Sequence, residues 1–265
     1  GKYHVLLQVR ENAPLLKESK TKALKHFKFL ESCLIRDPEL RQEYADTMTK
    51  YIRAGHVFKV PKEQLQGTEP WEEYYAPHRC VRKTSTLANK PQALRIVFNF
   101  SSKTGCAGNA GISLQDYYVE PTPPAINVVN VTLPFRQHPY AVVTDVRSMF
   151  YMIKVSKELN SPFLRFLYRF PRGHEMAEPE DAEGPSVYSF SCLPFGLRSS
   201  PALAHMTVQF HVEKYTEKYP EVVSLIKESS FVDDISMSRP TEEQCHEMIM
   251  QMHRIMQEGD RKSVV

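Results

Sequence analysis

The sequence predicts an α+β fold, because helical and strand-like periodicities occupy different stretches of the chain. Apolar residues recur at helical spacing over 19–35 and again over 241–258. Around 94–100 and 140–143 they alternate with polar residues at the two-residue spacing of a strand. Because the second half alternates short strands with helices, we expect a sheet backed by helices on one face.

The composition is that of a globular protein and excludes several other classes. The chain has 265 residues, 42% hydrophobic and 25% charged, with a formal net charge of +3. This composition argues against a disordered chain, and the length is sufficient for a sizeable hydrophobic core. No apolar run approaches the length of about 20 residues that a membrane-spanning helix needs. No signal-peptide pattern is present, so we expect an intracellular protein without a membrane partner.

Neither cysteine nor histidine spacing indicates a metal or disulfide framework. The five cysteines are odd in number, widely separated and without a CxxC pair. The histidines form no HxxxH pair on an apolar helix face, which argues against a hydrolytic zinc site. The chain also lacks the Asp-Thr/Ser-Gly pair of an aspartic protease.

Local signals mark several element boundaries. Asp37 followed by Pro38 predicts the start of a helix, and Gly55 predicts its end. The segments 163–170 and 187–192 read as two strands of a hairpin, and 230–237 reads as one short strand.

The strongest chemical signal is a pair of adjacent carboxylates, Asp233 and Asp234, inside the apolar segment Phe231-Val232-Asp233-Asp234-Ile235. A plain Asp-Asp turn is one interpretation, since aspartate favours turns and is depleted from strands. The flanking apolar residues favour another, because two unpaired anions near a core would be costly without a cation. A divalent metal is the natural cation for such a pair.

A third carboxylate, Asp145, ends the apolar segment Val142-Val143-Thr144 and is followed by the aromatic Phe150. Three carboxylates on neighbouring strands could hold two metal ions about 3.5–4 Å apart, as in an in-line displacement at phosphorus. Catalysis would then consist mainly of positioning and charge stabilisation.

The segment Leu193-Pro194-Phe195-Gly196-Leu197-Arg198-Ser199-Ser200-Pro201-Ala202 combines a turn with a helix start. Gly196 supplies backbone freedom for the turn, and Pro201 fits the first turn of a helix. Local physics alone does not distinguish a simple strand–turn–helix connection from a substrate-binding loop.

In their order along the chain, these elements resemble the palm of a reverse transcriptase. Asp145 with Phe150 resembles motif A, 193–201 resembles motif B, and 231–234 resembles the Y/F-x-D-D box of motif C. Upstream segments are similar to the fingers of BEL/Pao-type LTR retrotransposons. They are Asp37-Pro38-Glu39-Leu40, Tyr75-Ala76-Pro77-His78, Leu94-Arg95-Ile96-Val97-Phe98-Asn99, Ser101-Ser102-Lys103 and Ser113-Leu114-Gln115-Asp116.

The resemblance implies a right-hand polymerase fold with fingers and an antiparallel palm sheet backed by helices. Residues 1–70 would be an N-terminal helical segment leading into the fingers, 71–139 the fingers, and 140–265 the palm, with a fingers-side hairpin near 163–192. No primer-grip, thumb or RNase H pattern follows the last predicted helix, so the resemblance implies a palm with the thumb absent.

The resemblance also implies a catalytic metal centre. Asp145, Asp233 and Asp234 would be the catalytic carboxylates and metal ligands, with the Val146 carbonyl joining the first of them. They would hold two Mg²⁺ ions, or Mn²⁺ in their place.

Other residues would contact the incoming nucleotide. Phe150 would be the aromatic gate that disfavours a ribose 2′-hydroxyl, and Arg95 would lie on the triphosphate, with Lys83 as a second phosphate contact. Phe195 and Gly196 would border the nucleotide and the template strand. The stretch 79–115, which has no acidic residue, would be a phosphate-contacting surface.

The function that the resemblance implies is RNA-directed DNA polymerisation. The partners would be an RNA or DNA template with its primer, dNTPs, and other parts of a retroelement polyprotein such as a thumb and RNase H. The location would be the cytoplasm or a virus-like particle. One alternative is an RNA-dependent RNA polymerase, against which Phe150 argues; another is a truncated or domesticated fragment that binds nucleic acid without polymerising.

Overall fold

The computed structural model describes residues 3–82, 94–105, 111–121, 128–146, 148–231, 233–258 and 263–264. Within these ranges the fold is mixed α/β with several small antiparallel sheets. The chain forms two compact units. Unit 1 comprises Gly1–Val5, Glu120–Lys154 and Ser199–Val265, and unit 2 comprises Leu6–Val119 and Val155–Arg198. The assignment of sequence ranges to fingers and palm stays a prediction.

The elements follow in chain order. The helices are α1 (Lys20–Arg36), α2 (Pro38–Arg53), α3 (Leu114–Tyr117), α4 (Val128–Phe135), α5 (Ser199–Glu213), α6 (Pro220–Ser229) and α7 (Glu242–Glu258). The strands are β1 (His4–Val5), β2 (Val57–Lys59), β3 (His78–Arg82), β4 (Leu94–Phe98), β5 (Tyr140–Val146), β6 (Lys154–Val155), β7 (Arg165–Tyr168), β8 (Ser186–Phe190), β9 (Ser230–Phe231), β10 (Asp234–Arg239) and β11 (Ser263–Val264).

Helix α2 has the start and the end that its sequence signals predict. The Leu40 N–H donates to Oδ1 of Asp37 at 2.9 Å, so the aspartate caps a free amide of the first turn. Gly55 has a φ of +66°, a conformation that glycine adopts without strain. The amides of Gly55 and His56 donate to carbonyls of the last helical turn, both at 2.9 Å. These bonds satisfy helix carbonyls that would otherwise lack partners.

Unit 2 contains the predicted hairpin. Strands β7 and β8 pair antiparallel, with Phe166 opposite Tyr188, and β2 pairs with the other edge of β8. Strands β3 and β4 form a separate antiparallel ladder in which His78 faces Phe98. Aromatic rings fill the core between these ladders: the ring centroids of Phe98 lie 4.8 Å from those of both Phe166 and Phe190.

A buried histidine lies inside this aromatic core. The Nε2 atom of His78 donates to the Leu167 carbonyl at 2.7 Å, while the Tyr44 hydroxyl donates to Nδ1. This arrangement uses both ring nitrogens of the neutral imidazole, Nε2 as donor and Nδ1 as acceptor. Burial lowers the pKa of His78 from its ordinary 6.5 to about 4, against a smaller opposing effect of the Leu167 hydrogen bond.

Because the folded pKa lies below the unfolded one, the unfolded chain binds more protons between pH 6.5 and pH 4. We therefore expect the contribution of His78 to the free energy of unfolding, complete above pH 6.5, to fall by about 3 kcal/mol as the pH reaches 4. Urea unfolding at a series of pH values, compared between the wild type and His78→Phe, tests this. The control is His246→Phe, which changes an exposed histidine of α7; an equal pH dependence in all three proteins would contradict the prediction.

Unit 1 is built on a sheet with the strand order β11-β5-β10-β9. Strands β5 and β10 pair antiparallel from Tyr140 opposite Arg239 to Asp145 opposite Asp234. Helices α4, α6 and α7 contact β10. The apolar side of α7 is buried as the sequence predicts, with Met252 and Ile255 each 1% exposed.

The segment 230–237 is not the single strand that the sequence predicts. Phe231 pairs with Asp234, so β9 and β10 are the two arms of a tight hairpin whose turn includes Asp233. The preference of aspartate for turns prevails locally over the apolar flanks. Helix α6, which precedes this hairpin, was also not predicted as a separate helix.

In the described part of the chain, no helix is both long and apolar enough to cross a membrane.

Candidate metal centre and nucleotide-binding residues

Two of the predicted carboxylates face each other across neighbouring strands. The register of β10 against β5 places Asp234 opposite Asp145, so both side chains lie on the same face of the sheet. The next pair, Ile235 and Thr144, points to the other face, and each of these residues is 2% exposed. The sheet therefore buries its apolar face and presents the carboxylates on the accessible one.

The third carboxylate comes from the hairpin turn. Asp233 lies between β9 and β10, and its carbonyl accepts the Val146 N–H at 2.9 Å. This hydrogen bond fixes the turn to the end of β5, next to Asp145. As a result, Asp145, Asp233 and Asp234 each offer a carboxylate oxygen within 4.8 Å of the others. These are the three residues that the sequence predicts to lie together.

The electrostatics of this cluster are unfavourable without a cation. Asp145 is partly buried, whereas Asp233 and Asp234 are exposed. Burial raises the pKa of the Asp145 carboxyl, as do the negative charges of Asp233 and Asp234 and a hydrogen bond with Asp233. Like charges directly opposite one another in a ladder destabilise a sheet. Within the described residues, this is the one group of carboxylate, histidine or cysteine side chains close enough to share a metal ion.

The chemistry of the three ligands fits a hard divalent cation. Carboxylate oxygens are the usual protein ligands of Mg²⁺, which keeps water and substrate phosphate as its other ligands. No imidazole or thiolate takes part in the group, so softer transition metals are less well matched. The three carboxylates could hold a metal ion.

Phe150 lies just beyond β5, in the same unit as the carboxylates. Its side chain is 8% exposed, and the Ile153 amide donates to its carbonyl at 3.1 Å. Ser148 has a φ of +53°, an uncommon conformation for a residue other than glycine. Backbone strain of this kind is frequent at functional sites. The turn thus fixes the backbone of Phe150, which follows Asp145 by five positions in the sequence. The role of Phe150 as a sugar gate stays a prediction.

Arg95 lies in unit 2, on the outer face of the β3–β4 ladder. It is exposed and faces Val81, while Arg79 faces Val97 two positions further along the ladder. All four residues share one face, because directly opposed residues point the same way and side chains two positions apart along a strand return to the same face. Lys83, the second predicted phosphate contact, lies outside the described residues.

Phe195 and Gly196 form the exposed tip of a loop in unit 2. Leu193 and Leu197, on either side, are 0% and 3% exposed, so the loop is fixed at both ends by buried side chains. Phe195 between them is 46% exposed. The loop therefore presents an aromatic ring to solvent from a well-anchored backbone.

Gly196 is required at its position by both conformation and space. Its φ is +92°, in agreement with the turn that the sequence predicts. A Cβ atom at this position would lie 2.5 Å from the Phe98 carbonyl oxygen. The Gln115 side-chain amide donates to the Gly196 carbonyl at 2.8 Å. Gln115 belongs to one of the upstream segments of the resemblance, but its contact with this loop is not predictable from the sequence, since only the tertiary fold brings the two together.

Neither protein-family models nor curated protein sequences give a match to this chain.

Proposed function

We propose that this protein is the fingers and palm core of an RNA-directed DNA polymerase of the LTR-retrotransposon type, most similar to the BEL/Pao branch. It would transfer a nucleotide from a dNTP to the 3′-hydroxyl of a primer paired with an RNA or DNA template. The observation that carries this proposal is the pairing of Asp145 with Asp234 on an open sheet face, with Asp233 added by the adjoining turn.

The carboxylate cluster supports phosphoryl transfer because it needs positive charge and its ligands are suited to Mg²⁺. Two divalent ions, when bound, would lower the pKa of the primer hydroxyl and neutralise the triphosphate and the departing pyrophosphate. The protein's contribution is to fix three carboxylates on a rigid strand pair. Asp145 and Asp234 are held by the β5–β10 register, and Asp233 by its carbonyl bond to Val146.

The remaining site residues have roles that follow from the resemblance, and the exposure of Arg95 and Phe195 supports the roles of these two. Arg95 is an exposed guanidinium suited to a triphosphate, since arginine presents several donors to phosphate oxygens. Phe195 offers an exposed ring for contact with a base, and Gly196 lets the loop backbone adopt its turn. In this proposal Phe150 excludes a 2′-hydroxyl and thereby selects deoxynucleotides.

Primer extension by the purified chain tests the proposal. A labelled DNA primer annealed to an RNA template is incubated with Mg²⁺ and either dNTPs or NTPs, in parallel with the variant Asp145→Asn. We expect extension with dNTPs, little with NTPs, and none by the variant. The matched control is Asp46→Asn, which changes an exposed aspartate of α2 in unit 2.

The outcomes separate the alternatives. Extension with NTPs alone would indicate an RNA polymerase and overturn the role of Phe150. Tight binding of the primer–template without extension under any condition would contradict the polymerase proposal and favour a protein that binds nucleic acid without copying it.

A further inference from the structure

A polar cleft lies in unit 2, between the first turns of α1 and the loop that follows β4. It has a volume of about 680 Å³. Its cationic lining comes from Lys22 and Lys25 on the helix and from Lys103 on the loop, and His26 lies beside them. Glu18 is the one acidic residue in the lining. The cleft is therefore a site with an excess of positive charge, in a region that is remote in sequence from the carboxylates.

The contacts inside the cleft leave the ammonium groups of Lys25 and Lys103 accessible to a ligand. Oε1 of Glu18 accepts the Thr21 amide at 2.6 Å, which is a local helix-start contact. Lys22 donates from Nζ to the Lys103 carbonyl at 2.9 Å and so ties the helix to the loop. Among the described residues, neither Lys25 nor Lys103 has an ion-pair partner within 4.0 Å of its ammonium group. Both are exposed.

The loop side of the cleft is rigid and carries hydroxyl groups. The Ser101 amide donates to Oδ1 of Asn99 at 3.1 Å, and the Ser102 carbonyl accepts the buried Tyr74 hydroxyl at 2.8 Å. Ser101 and Ser102 both line the cleft. Hydroxyls beside lysines on a fixed backbone are typical of contacts to phosphate oxygens.

An exposed aromatic ring extends this surface along α1. Phe29 is 72% exposed, although a phenylalanine ring is normally buried. It follows Lys25 by four positions and His26 by three, so helical geometry places the three side chains on one face. A charged track beside an accessible ring suits a single strand, because unpaired bases can stack while the backbone meets the lysines.

We propose that this cleft and the adjoining Phe29 bind the phosphate backbone and an unpaired base of single-stranded nucleic acid. The proposal adds to the proposed function a contact surface on α1 that does not involve the carboxylates. It rests on the proposed function in one respect, namely that the partner is a nucleic acid. It does not require catalysis. Binding can therefore be measured in EDTA and without nucleotides, where a failure of polymerisation has no influence on the result.

Fluorescence anisotropy with a labelled single-stranded oligonucleotide tests the phosphate contacts. The variant Lys25→Glu/Lys103→Glu is compared with Lys50→Glu/Lys157→Glu, which makes the same charge change at exposed lysines of unit 2 outside the cleft. We expect the cleft variant to weaken binding about tenfold or more. The slope of log K against log salt should become shallower by about 1.4, the value for two lost phosphate contacts on a single strand.

Replacement of the exposed ring tests the stacking contact. Phe29→Ala should weaken binding of the single strand at least about fivefold and that of a duplex of the same length much less. Ile35→Ala is the matched control, because Ile35 is another exposed apolar residue of α1, 58% exposed. Circular dichroism melting shows that each variant is folded.

Three results would overturn the proposal. The first is an equal loss of affinity and of salt slope in the cleft and control lysine variants, which would indicate a general effect of charge. The second is equal weakening of single strands and duplexes by Phe29→Ala. The third is competition by inorganic phosphate at the same phosphorus concentration as the oligonucleotide, which would indicate a site for a free anion.

Discussion

Replacing Asp234 with asparagine is expected to reduce primer extension at least about a thousandfold. Loss of one of three carboxylates removes part of the charge that holds the divalent ions, and such ions contribute several kcal/mol of transition-state stabilisation. Asp234 faces Asp145 across the ladder, so its replacement leaves Asp145 without a carboxylate opposite it. The measurement is the rate of single-nucleotide addition at saturating dNTP and Mg²⁺.

The same substitution, although it lowers activity, should raise the free energy of unfolding when metal is removed. Because Asp145 and Asp234 are like charges in directly opposed positions, neutralising one of them relieves repulsion within the ladder. We expect the free energy of unfolding in EDTA to rise by up to about 1 kcal/mol. Asp46→Asn should change neither quantity. Loss of activity together with a lower stability in EDTA would contradict this account, since it would indicate a structural role for the carboxylate.

The substitution Gly196→Ala is expected to lower the free energy of unfolding by about 2–5 kcal/mol. The positive φ of +92° accounts for about 1–2 kcal/mol of this loss. The remainder, about 1–3 kcal/mol, comes from overpacking. The new Cβ would lie 2.5 Å from the backbone oxygen of Phe98, and a backbone atom cannot move aside as a side chain can. We also expect slower primer extension, because the displaced loop carries Phe195.

Gly173→Ala separates the two causes. Gly173 has a similar φ of +84°, but no atom lies within 4 Å of a Cβ placed there. Its substitution should therefore show the conformational effect without the close contact. Urea unfolding of both variants measures the difference. Equal losses for Gly173→Ala and Gly196→Ala would show that the contact with Phe98 is relieved at no cost.

The parts of the fold that the sequence predicts are those set by local chemistry. Asp37 starts α2 and Gly55 ends it because a capping oxygen and a positive φ are properties of single residues. The 163–192 hairpin follows from two apolar, aromatic-containing segments on either side of a turn-rich acidic segment. The metal candidates are identifiable because aspartate is depleted from strands and is therefore conspicuous inside or at the end of a strand-like apolar segment.

What the sequence does not predict depends on register and on long-range contacts. The segment 230–237 looks like one strand, and only the pairing of Phe231 with Asp234 reveals the hairpin that brings Asp233 to Asp145. Strand register is decided by which face is buried, and this requires the whole sheet. The basic cleft likewise exists because Lys22 meets the Lys103 carbonyl, a contact between residues 81 positions apart.

Titration with Mn²⁺ is the most direct test of the central claim that Asp145, Asp233 and Asp234 form one divalent-metal site. Water-proton relaxation reports the bound ion in the purified chain without any substrate. We predict saturable binding by the wild type and by Asp46→Asn, displaceable by Mg²⁺, and its loss in Asp145→Asn/Asp234→Asn. Undiminished Mn²⁺ binding by the double variant would contradict the claim, and the proposed polymerase function would lose the observation that carries it.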